Sequence, residues 1–390
     1  MAEAYIVRAL RTAGGRRSGR LSTVHPVDLG AVVLNALIAD LDVDLSLVED
    51  VIWGCVGQAG EQSTNVGRNT VLASNLPQTV PGTSLDRQCG SSQQALHFAA
   101  QAVMSGTQDI VIAGGVESMS RVPMGMPVTL PLKNGFGTCK SPGIEAKWPG
   151  PEFSQFIGAE MVAAKYGLKR PELDAFALES HRKATRAIEA GAFDREIAPV
   201  TVTAEDGSTF VYDRDEGVGT AATLEGISSV RPMSEGGVLS AASASQICDG
   251  ASGLLVVNEQ GLKALGVAPL ARVHTLSVIG DDPVMMLDAP APATALALKK
   301  AGLSIDEIDL FEVNEAFASI PMGWLQRTGA DPDRMNVNGG AIALGHPLGA
   351  SGAKLMATLV HALHARGKRY GLQTMCEGGG MANATIIERL

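Results

Sequence analysis

Apolar segments of strand length alternate with amphipathic helical segments along most of this chain. Residues 91–105 place Ala95 and Ala99 on one helical face, and the helical pattern stops at Gly106. The apolar run 109–113 follows at once, as expected for a buried strand. A glycine after the last periodic residue is a typical helix C-terminus. This pattern predicts helices packed on the faces of buried sheets, that is, an α/β fold.

The same order of elements occurs twice, once near each end of the chain. The first copy comprises residues 27–39, 51–55, 91–105 and 109–113, and the second comprises residues 293–301, 310–314, 350–365 and 370–375. The nearly constant offset between corresponding residues indicates an internal duplication. We therefore predict two similar α/β units, each with a buried and largely parallel sheet.

The pattern changes between the two copies. Two helices are predicted over residues 158–166 and 172–190, the second of them after a proline. Residues 200–203 and 209–212 flank Asp206-Gly207, which predicts a β-hairpin. This region interrupts the duplicated pattern, and we expect it to act as a lid or to contribute to substrate binding.

These observations predict three parts of the chain. Residues 1–120 would form the N-terminal half, completed by about residues 249–270. Residues 121–248 would form an inserted loop domain, and residues 271–390 the C-terminal half. Ligand sites in α/β units collect at strand ends and helix starts, so we expect a site where the two halves present these ends together.

Composition and charge exclude several classes of protein. The net charge of −10 argues against a nucleic-acid partner, which would require a basic surface. No segment approaches the length of a membrane span. The five cysteines form no C-x-x-C pair and no metal-ligand spacing, so disulfides and a metal site are not expected. These features predict a cytoplasmic protein without a membrane partner.

Two cysteines and one histidine carry the candidate chemistry. Cys89 lies just before a predicted helix, where unpaired backbone N–H groups and the helix dipole favour a thiolate. His346 lies in a Gly- and Pro-rich segment before the last helix and can act as its base. Cys376 ends a predicted strand and precedes three glycines. A second thiol can protonate a carbanion and deprotonate an incoming thiol of similar acidity.

Polar groups around these residues can stabilise oxyanions. Asn314 ends a predicted strand and can direct a water or an amide donor toward a thioester oxygen. The backbone N–H groups of Gly378 and Cys89 are candidates for a second oxyanion site. The residues therefore predict acyl transfer between carbon and sulfur, a scheme that requires no cofactor.

The chain resembles the thiolase family over essentially its whole length. The matching motifs are the segment around Cys89, Asn314-Glu315-Ala316-Phe317, the Gly-rich run 336–352 and Cys376-Glu377-Gly378-Gly379-Gly380. The resemblance implies a five-layered αβαβα fold of two similar halves with an inserted loop domain. It also implies acyl-CoA and CoA as substrates, and assembly as a homodimer or homotetramer.

The resemblance also implies residue roles. Cys89 would be acylated, His346 would activate it, and Cys376 would act as acid and base. Asn314, with His346, would form an oxyanion hole for the acetyl-enolate. Cleavage of a 3-ketoacyl-CoA by CoA would then give acetyl-CoA and a shortened acyl-CoA, and the reverse reaction would be a Claisen condensation. The CoA-binding residues would be Ser245, Ala241, Ala316 and Phe317.

Three departures from the family pattern affect substrate binding and the thiols. Many members carry a basic residue where this chain has Glu216–Thr220, so Arg182, Lys183, Arg186 and Arg214 are the candidates for meeting CoA phosphates. Residues 154–160 lack the His-Met-Gly-type segment of short-chain biosynthetic members, which predicts longer or bulkier 3-ketoacyl substrates. Glu377 follows Cys376, where an apolar or small residue is usual. An inward carboxylate would raise the thiol pKa, but we expect it to face outward because an unpaired buried carboxylate is costly.

Two other functions remain open from the sequence. A decarboxylating ketoacyl synthase would share the two-halved fold, but it normally requires two active-site histidines, and only His346 lies in such a motif. A non-catalytic acyl-CoA- or lipid-binding relative is expected to have lost a catalytic residue. Cys89, Asn314, His346 and Cys376 are all present, which favours the enzyme.

Overall fold

The computed structural model describes residues 2–150, 152–204 and 206–390. The strands are β1 (Tyr5–Arg11), β2 (Gly15–Arg16), β3 (Asp50–Gly54), β4 (Gly82–Leu85), β5 (Ile110–Ser118), β6 (Val200–Thr203), β7 (Thr209–Tyr212), β8 (Cys248–Val257), β9 (Ala271–Gly280), β10 (Leu310–Val313), β11 (Tyr370–Glu377) and β12 (Met381–Arg389). The helices are α1 (Pro26–Ile38), α2 (Val66–Ala73), α3 (Ser91–Ser105), α4 (Met126–Lys133), α5 (Pro142–Lys147), α6 (Gln155–Lys165), α7 (Arg170–Glu189), α8 (Leu224–Ser228), α9 (Glu259–Leu265), α10 (Pro290–Ala301), α11 (Ser319–Thr328), α12 (Ala341–Leu344) and α13 (Ser351–Ala365).

The main sheet has ten strands and is mixed. Its order is β4-β3-β5-β8-β1-β9-β12-β11-β10, and β2 pairs with β8. Strand β3 is parallel to β4 and β5, and β10 is parallel to β11, whereas β8, β9 and β12 pair antiparallel with their neighbours. The expectation of largely parallel sheets is therefore wrong. Strands covered on both faces are apolar throughout in either orientation, so the hydrophobic pattern could not distinguish the two.

The predicted duplication is confirmed by the order of the strands. The N-terminal set β4-β3-β5-β8-β1 corresponds to the C-terminal set β10-β11-β12-β9, with a short parallel bridge between Met335 and Phe311 in the place of β4. The two sets join where Tyr5 pairs with Arg272. The chain thus builds the same half twice and connects the halves along β1 and β9.

Five layers follow from the packing of the helices. The α3 and α13 side chains form one buried core with residues from both halves of the sheet, including Val111 and Val273. Alternate residues of the N-terminal strands pack against α1, and those of the C-terminal strands pack against α10 and α11. The predicted αβαβα arrangement is confirmed, and the central helix pair explains why α3 and α13 are rich in alanine.

The region between the halves has its own core. Ala159, Val162, Leu173 and Ala177, from α6 and α7, pack together with Phe317. The predicted hairpin is present as the two-stranded sheet of β6 and β7. The α6–α7 core faces the segment that follows β10 near Phe317, whereas Val200, Val202 and Tyr212 of the hairpin pack into the core of the N-terminal half.

Strand β8 returns the chain to the N-terminal half. It pairs with β1 and β5 over most of its length. On this basis we propose the division into an N-terminal half over residues 1–120 with about 249–270, a loop domain over 121–248 and a C-terminal half over 271–390.

A buried arginine attaches the inserted region to the first strand. Arg11, fully buried at the end of β1, contacts Glu196 Oε1 at 2.5 Å and Asp215 at 2.8 and 3.0 Å. Its guanidinium also lies 4.9 Å from the centre of the Phe193 ring. Two carboxylates compensate the buried cation, which is the condition under which a buried charge is tolerated.

Replacing Arg11 by Ala should strongly destabilise the fold. Asp215 and Glu196 would remain buried without their cation, at a cost of about 3–5 kcal/mol in the free energy of unfolding. Chemical denaturation of the variant and the parent protein measures this loss. The control is Arg272→Ala, which breaks a partly exposed pair with Glu388 and should cost less than about 1 kcal/mol. Equal losses in the two variants would contradict the prediction.

Candidate functional site

Cys89 lies in a tight turn between β4 and α3. The Asp86 carboxylate accepts a hydrogen bond from the backbone N–H of Gln88 at 2.6 Å. Gln88 has a φ of 50°, a conformation that costs energy for a residue with a side chain. Cys89 follows and is 9% exposed, one residue before the Gly90 N-cap of α3. The turn thus presents the thiol at the start of a helix, as predicted.

Cys89 rests as a neutral thiol, so its place at the helix start does not by itself ionise it. Burial, with a smaller contribution from the neighbouring Glu377, raises the pKa of the Cys89 thiol to about 12. A backbone N–H contributes in the opposite direction but is outweighed. In a buried site, loss of hydration exceeds the favourable effect of the helix terminus. Cys89 therefore requires a base.

Cys376 faces the same cavity as Cys89. A cavity of about 510 Å³, termed here the thiol cavity, is lined by Cys89, Cys376, Gly378 and Leu348 among other residues. A Cβ atom built on Gly378 would lie 2.9 Å from Gln88 Oε1, so this glycine lies directly against the turn that carries Cys89. Burial raises the pKa of the Cys376 thiol well above its usual value, so it too rests as a neutral thiol.

His346 is held in one tautomer by Ser351. The Ser351 hydroxyl donates to the Pro347 carbonyl oxygen at 2.9 Å and lies 2.5 Å from His346 Nδ1. A hydroxyl that donates to Pro347 must accept from Nδ1–H, which leaves Nε2 unprotonated. Nε2 lies 3.3 Å from Asn314 Nδ2, which donates to it. Burial lowers the His346 pKa to about 3, so the resting imidazole is a neutral base.

Two supporting residues were missed by the sequence reasoning. Ser351 occurs in a quoted motif, but its hydrogen bond to His346 depends on the turn between them. Glu117, near the end of β5, accepts hydrogen bonds from the backbone N–H groups of Val56, Gly57 and Gly349, each at 2.9 Å. Gln62 donates to the same carboxylate at 2.8 Å. No sequence motif around Glu117 indicates this role, because its partners come from three separate segments.

All four predicted CoA-binding residues lie along a second cavity. Its volume is about 390 Å³, and it is termed here the entrance cavity. The lining includes Ala241, Ser245, Ala316, Phe317 and His346. The Ser245 backbone N–H donates to the Ala316 carbonyl oxygen at 2.9 Å, which brings these two segments together.

The two cavities adjoin and share part of their lining. Met119, Met124, Gln155, Ala316 and Leu348 line both. The predicted CoA-binding residues therefore lie at a cavity next to that of the two thiols. Gln155 belongs to residues 154–160, which lack the His-Met-Gly-type segment of the short-chain biosynthetic members. This departure from the family pattern therefore lies in the lining that the two cavities share.

The basic residues expected to meet CoA phosphates lie elsewhere. Lys183 donates to the Met335 carbonyl oxygen at 2.9 Å, and Arg186 pairs with Glu179 at 2.7 Å. Arg182 and Arg186 line a small pocket of about 170 Å³ beside His181. Arg214 is exposed on the surface. The entrance cavity is lined instead by two exposed arginines, Arg16 and Arg17.

The expectation that Glu377 faces outward is wrong. Its side chain is fully buried, and neither carboxyl oxygen has a hydrogen-bond partner among the described residues. Burial raises the pKa of Glu377 to about 8. The carboxyl group can remain buried because it is neutral below that pH. The prediction of an outward carboxylate considered only the cost of burying the charged form.

Membrane-spanning helices and metal-binding clusters are both absent from the described ranges. None of their helices combines the length and apolar composition of a membrane span. Nor do three or more His, Cys, Asp or Glu side chains come together there as a metal-binding group. His97 Nε2 lies 2.7 Å from Thr385 Oγ1. This buried histidine is therefore hydrogen-bonded between the central helix α3 and strand β12 and is not part of the candidate site.

Comparison with known proteins gives a consistent result over the whole chain. Residues 4–260 match the thiolase N-terminal domain, and residues 267–389 match the thiolase C-terminal domain. The chain is 50% identical over 395 residues to the steroid 3-ketoacyl-CoA thiolase FadA6 of Mycobacterium tuberculosis, covering 100% of this chain and 95% of that protein. It is 40% identical to a 3-ketoacyl-CoA thiolase of Bacillus subtilis, with 100% of both chains covered.

A solved structure extends the likeness to the fold. The crystal structure of the Bacillus anthracis acetyl-CoA acetyltransferase superposes with a TM-score of 0.91 at 34% identity, covering 100% of this chain and 99% of that one. The sequence motifs, the duplicated five-layered fold and these matches agree. The chain belongs to the thiolase family.

Proposed function

We propose that this chain cleaves 3-ketoacyl-CoA with CoA, giving acetyl-CoA and a shortened acyl-CoA, through an acyl-Cys89 intermediate. The same site would run the reverse Claisen condensation. The observation that carries the proposal is a pair of neutral thiols at one cavity, with an imidazole at the adjoining cavity whose unprotonated Nε2 is fixed by Ser351. The names of the relatives support a 3-ketoacyl-CoA substrate.

The first half-reaction breaks a carbon–carbon bond. His346 Nε2 takes the Cys89 proton as the sulfur attacks the 3-keto carbon. The bond between C2 and C3 then breaks, and its electron pair forms the enolate of acetyl-CoA. The Cys376 thiol protonates C2, which releases acetyl-CoA and leaves Cys376 as a thiolate. A thiol is a suitable acid because its ordinary pKa is near 8.5.

The second half-reaction transfers the acyl group to CoA. The Cys376 thiolate takes the proton of the incoming CoA thiol, and the CoA sulfur attacks the acyl-Cys89 carbonyl carbon. Cys89 leaves as a thiolate and recovers its proton from His346. Protonated His346 and Asn314 would stabilise the enolate oxygen, and the N–H groups of Cys89 and Gly378 would stabilise the tetrahedral oxyanion.

This scheme needs no cofactor besides the substrate CoA. The pantetheine arm of CoA would contact Ser245, Ala241, Ala316 and Phe317.

A ketoacyl synthase would need a second histidine at the thiols, whereas the His97 side chain is hydrogen-bonded to Thr385. We also propose a cytoplasmic enzyme, consistent with five free cysteines.

Self-association is the other part of the proposal. Strand β4 forms one end of the ten-stranded sheet. An edge strand offers unpaired N–H and C=O groups to a second copy of the chain. A homodimer or homotetramer formed in this way would cover the turn that carries Cys89, which directly follows β4.

Replacing Cys89 by Ala should abolish thiolysis. Loss of the nucleophile removes the acyl-enzyme path, and kcat should fall by more than about 1,000-fold. A CoA-dependent cleavage assay with a 3-ketoacyl-CoA measures this. Cys139→Ala, at an exposed cysteine, is the control and should retain full activity. Substantial thiolysis by the Cys89 variant would refute the acyl-enzyme.

The acyl chain should be longer or bulkier than four carbons. The thiol cavity of about 510 Å³ and the departure at residues 154–160 support this, as does the steroid substrate in the name of the M. tuberculosis relative. We expect kcat/KM to be higher for a long-chain or ring-bearing 3-ketoacyl-CoA than for acetoacetyl-CoA. A strict preference for acetoacetyl-CoA would contradict this expectation.

Arg16 and Arg17 should meet the phosphates of CoA. They line the entrance cavity beside Ser245 in a chain of net charge −10, so they supply local positive charge. The double variant Arg16→Ala/Arg17→Ala should raise KM for CoA by roughly fivefold to tenfold through lost charge-assisted hydrogen bonds. KM for pantetheine, which has no phosphate, should not change.

The matched control is Arg182→Ala/Arg186→Ala, because those arginines lie at a separate pocket. Its KM for CoA should equal that of the parent enzyme. An effect of the Arg16/Arg17 variant on pantetheine as large as that on CoA would indicate a distorted channel and would contradict the assignment.

A further inference from the structure

Glu377 is a buried ionisable group near the thiols that the mechanism does not use. It is the last residue of β11, directly after Cys376. Successive side chains of a strand point to opposite faces. Cys376 lines the thiol cavity, and Glu377 lies on the other side, against the turn that carries Cys89.

The position of the carboxyl group is defined by Gly90. A Cβ atom built on Gly90 would overlap Glu377 Oε1 and lie 2.8 Å from Asn383 Nδ2. Asn383 Nδ2 itself donates to the Gly90 carbonyl oxygen at 3.2 Å. The carboxyl group therefore occupies the space beside the backbone that immediately follows Cys89, and only glycine at position 90 leaves room for it.

The surroundings of Glu377 contrast with those of the other carboxylate in this part of the fold. Glu117 accepts four hydrogen bonds, whereas the Glu377 oxygens have no partner within the described ranges. The charged groups that face Glu377 are Arg87 and Asp86, both from the Cys89 turn, with opposite effects on its pKa. Both thiols are also close enough for a negative charge on Glu377 to raise their pKa values, and for Cys89 this is the largest effect after burial.

An unpaired buried carboxyl group destabilises a fold, so its presence beside the nucleophile calls for a functional reason. A negative charge at this position opposes a thiolate on Cys89, while a neutral carboxyl group does not. Cys89 can therefore have two different degrees of reactivity, depending on one proton held by a side chain that does not line the thiol cavity.

We propose that Glu377 is a positioning residue that controls ionisation of Cys89: its neutral form permits proton transfer to His346, and its ionised form keeps the proton on the thiol. This inference rests on the proposed role of Cys89 as the acylated residue. Glu377 acts through Cys89 and does not touch the substrate.

The direction of the pH dependence follows from the pKa of Glu377, which burial raises to about 8. Below pH 8 the group is neutral and Cys89 ionises without opposition from it. Above pH 8 the group becomes charged and raises the thiol pKa, so the reactivity of Cys89 should increase with pH less steeply than that of an ordinary thiol.

The test is alkylation of Cys89 by iodoacetamide between pH 6.5 and pH 9, with the modified residue located by mass spectrometry. Glu377→Gln keeps the shape of the side chain and removes its charge. The variant should react roughly tenfold faster than the parent at pH 9, and at nearly the same rate at pH 6.5, as expected for one charge close to the sulfur.

Glu312→Gln is the matched control. Glu312, on β10, is also buried, and its Oε2 has no partner within the part of the chain described, but Glu315 and Glu196 face it rather than the thiols. This variant should leave the alkylation profile unchanged. Glu377→Leu, in which an apolar residue replaces the buried carboxyl group, should react like Glu377→Gln and guards against a defect specific to glutamine.

Equal alkylation rates in the parent and both Glu377 variants at pH 9 would overturn the proposal, as would a slower rate in the variants. A fall in turnover without a change in alkylation would assign Glu377 a purely structural role and would also overturn it. Alkylation needs no turnover, so this outcome is independent of the Cys89→Ala assay that tests the acyl-enzyme itself.

Discussion

The hydrogen bonds to the Glu117 carboxylate are the constraint on which the site depends. Val56 and Gly57 belong to the loop after β3, while Gly349 lies three residues after His346 in the other half of the fold. One carboxylate therefore fixes the base-bearing loop against the half that provides the nucleophile. Because its acceptors are satisfied by backbone N–H groups, the spacing of the two halves is set by main-chain atoms.

The hydrophobic pattern predicted the helices and strands of the duplicated segments and the inserted hairpin, but not β1, β4, β8, β9 or β12. The helix predicted over residues 91–105 is α3 with the same bounds, and the hairpin strands are β6 and β7. Strand direction could not be predicted from this pattern, since β8 and β12 are buried on both faces whichever way they run. Periodicity records how deeply a strand is buried and not which neighbour it pairs with.

The residues of the candidate site could be predicted from the sequence, but their protonation states could not. The motifs grouped Cys89, His346 and Cys376, and the fold places both thiols at one cavity and His346 at the adjoining one. The orientation of Glu377 was misjudged, and the effect of burial on the pKa of Cys89 was not anticipated. Each depends on how much water the folded chain excludes, and this quantity is a property of the packed layers that no local spacing encodes.

The walls shared by the two cavities have a consequence for how substrate range can change. Met119 and Met124 line both cavities, and methionine side chains are flexible and adapt to irregular shapes. The thiols, by contrast, are carried on β11 and on the turn before α3, which belong to the rigid layers. Substitutions at Met119 and Met124 can thus alter which acyl groups fit the cavities while the two thiols keep their positions. New substrates are therefore accessible to evolution in small steps.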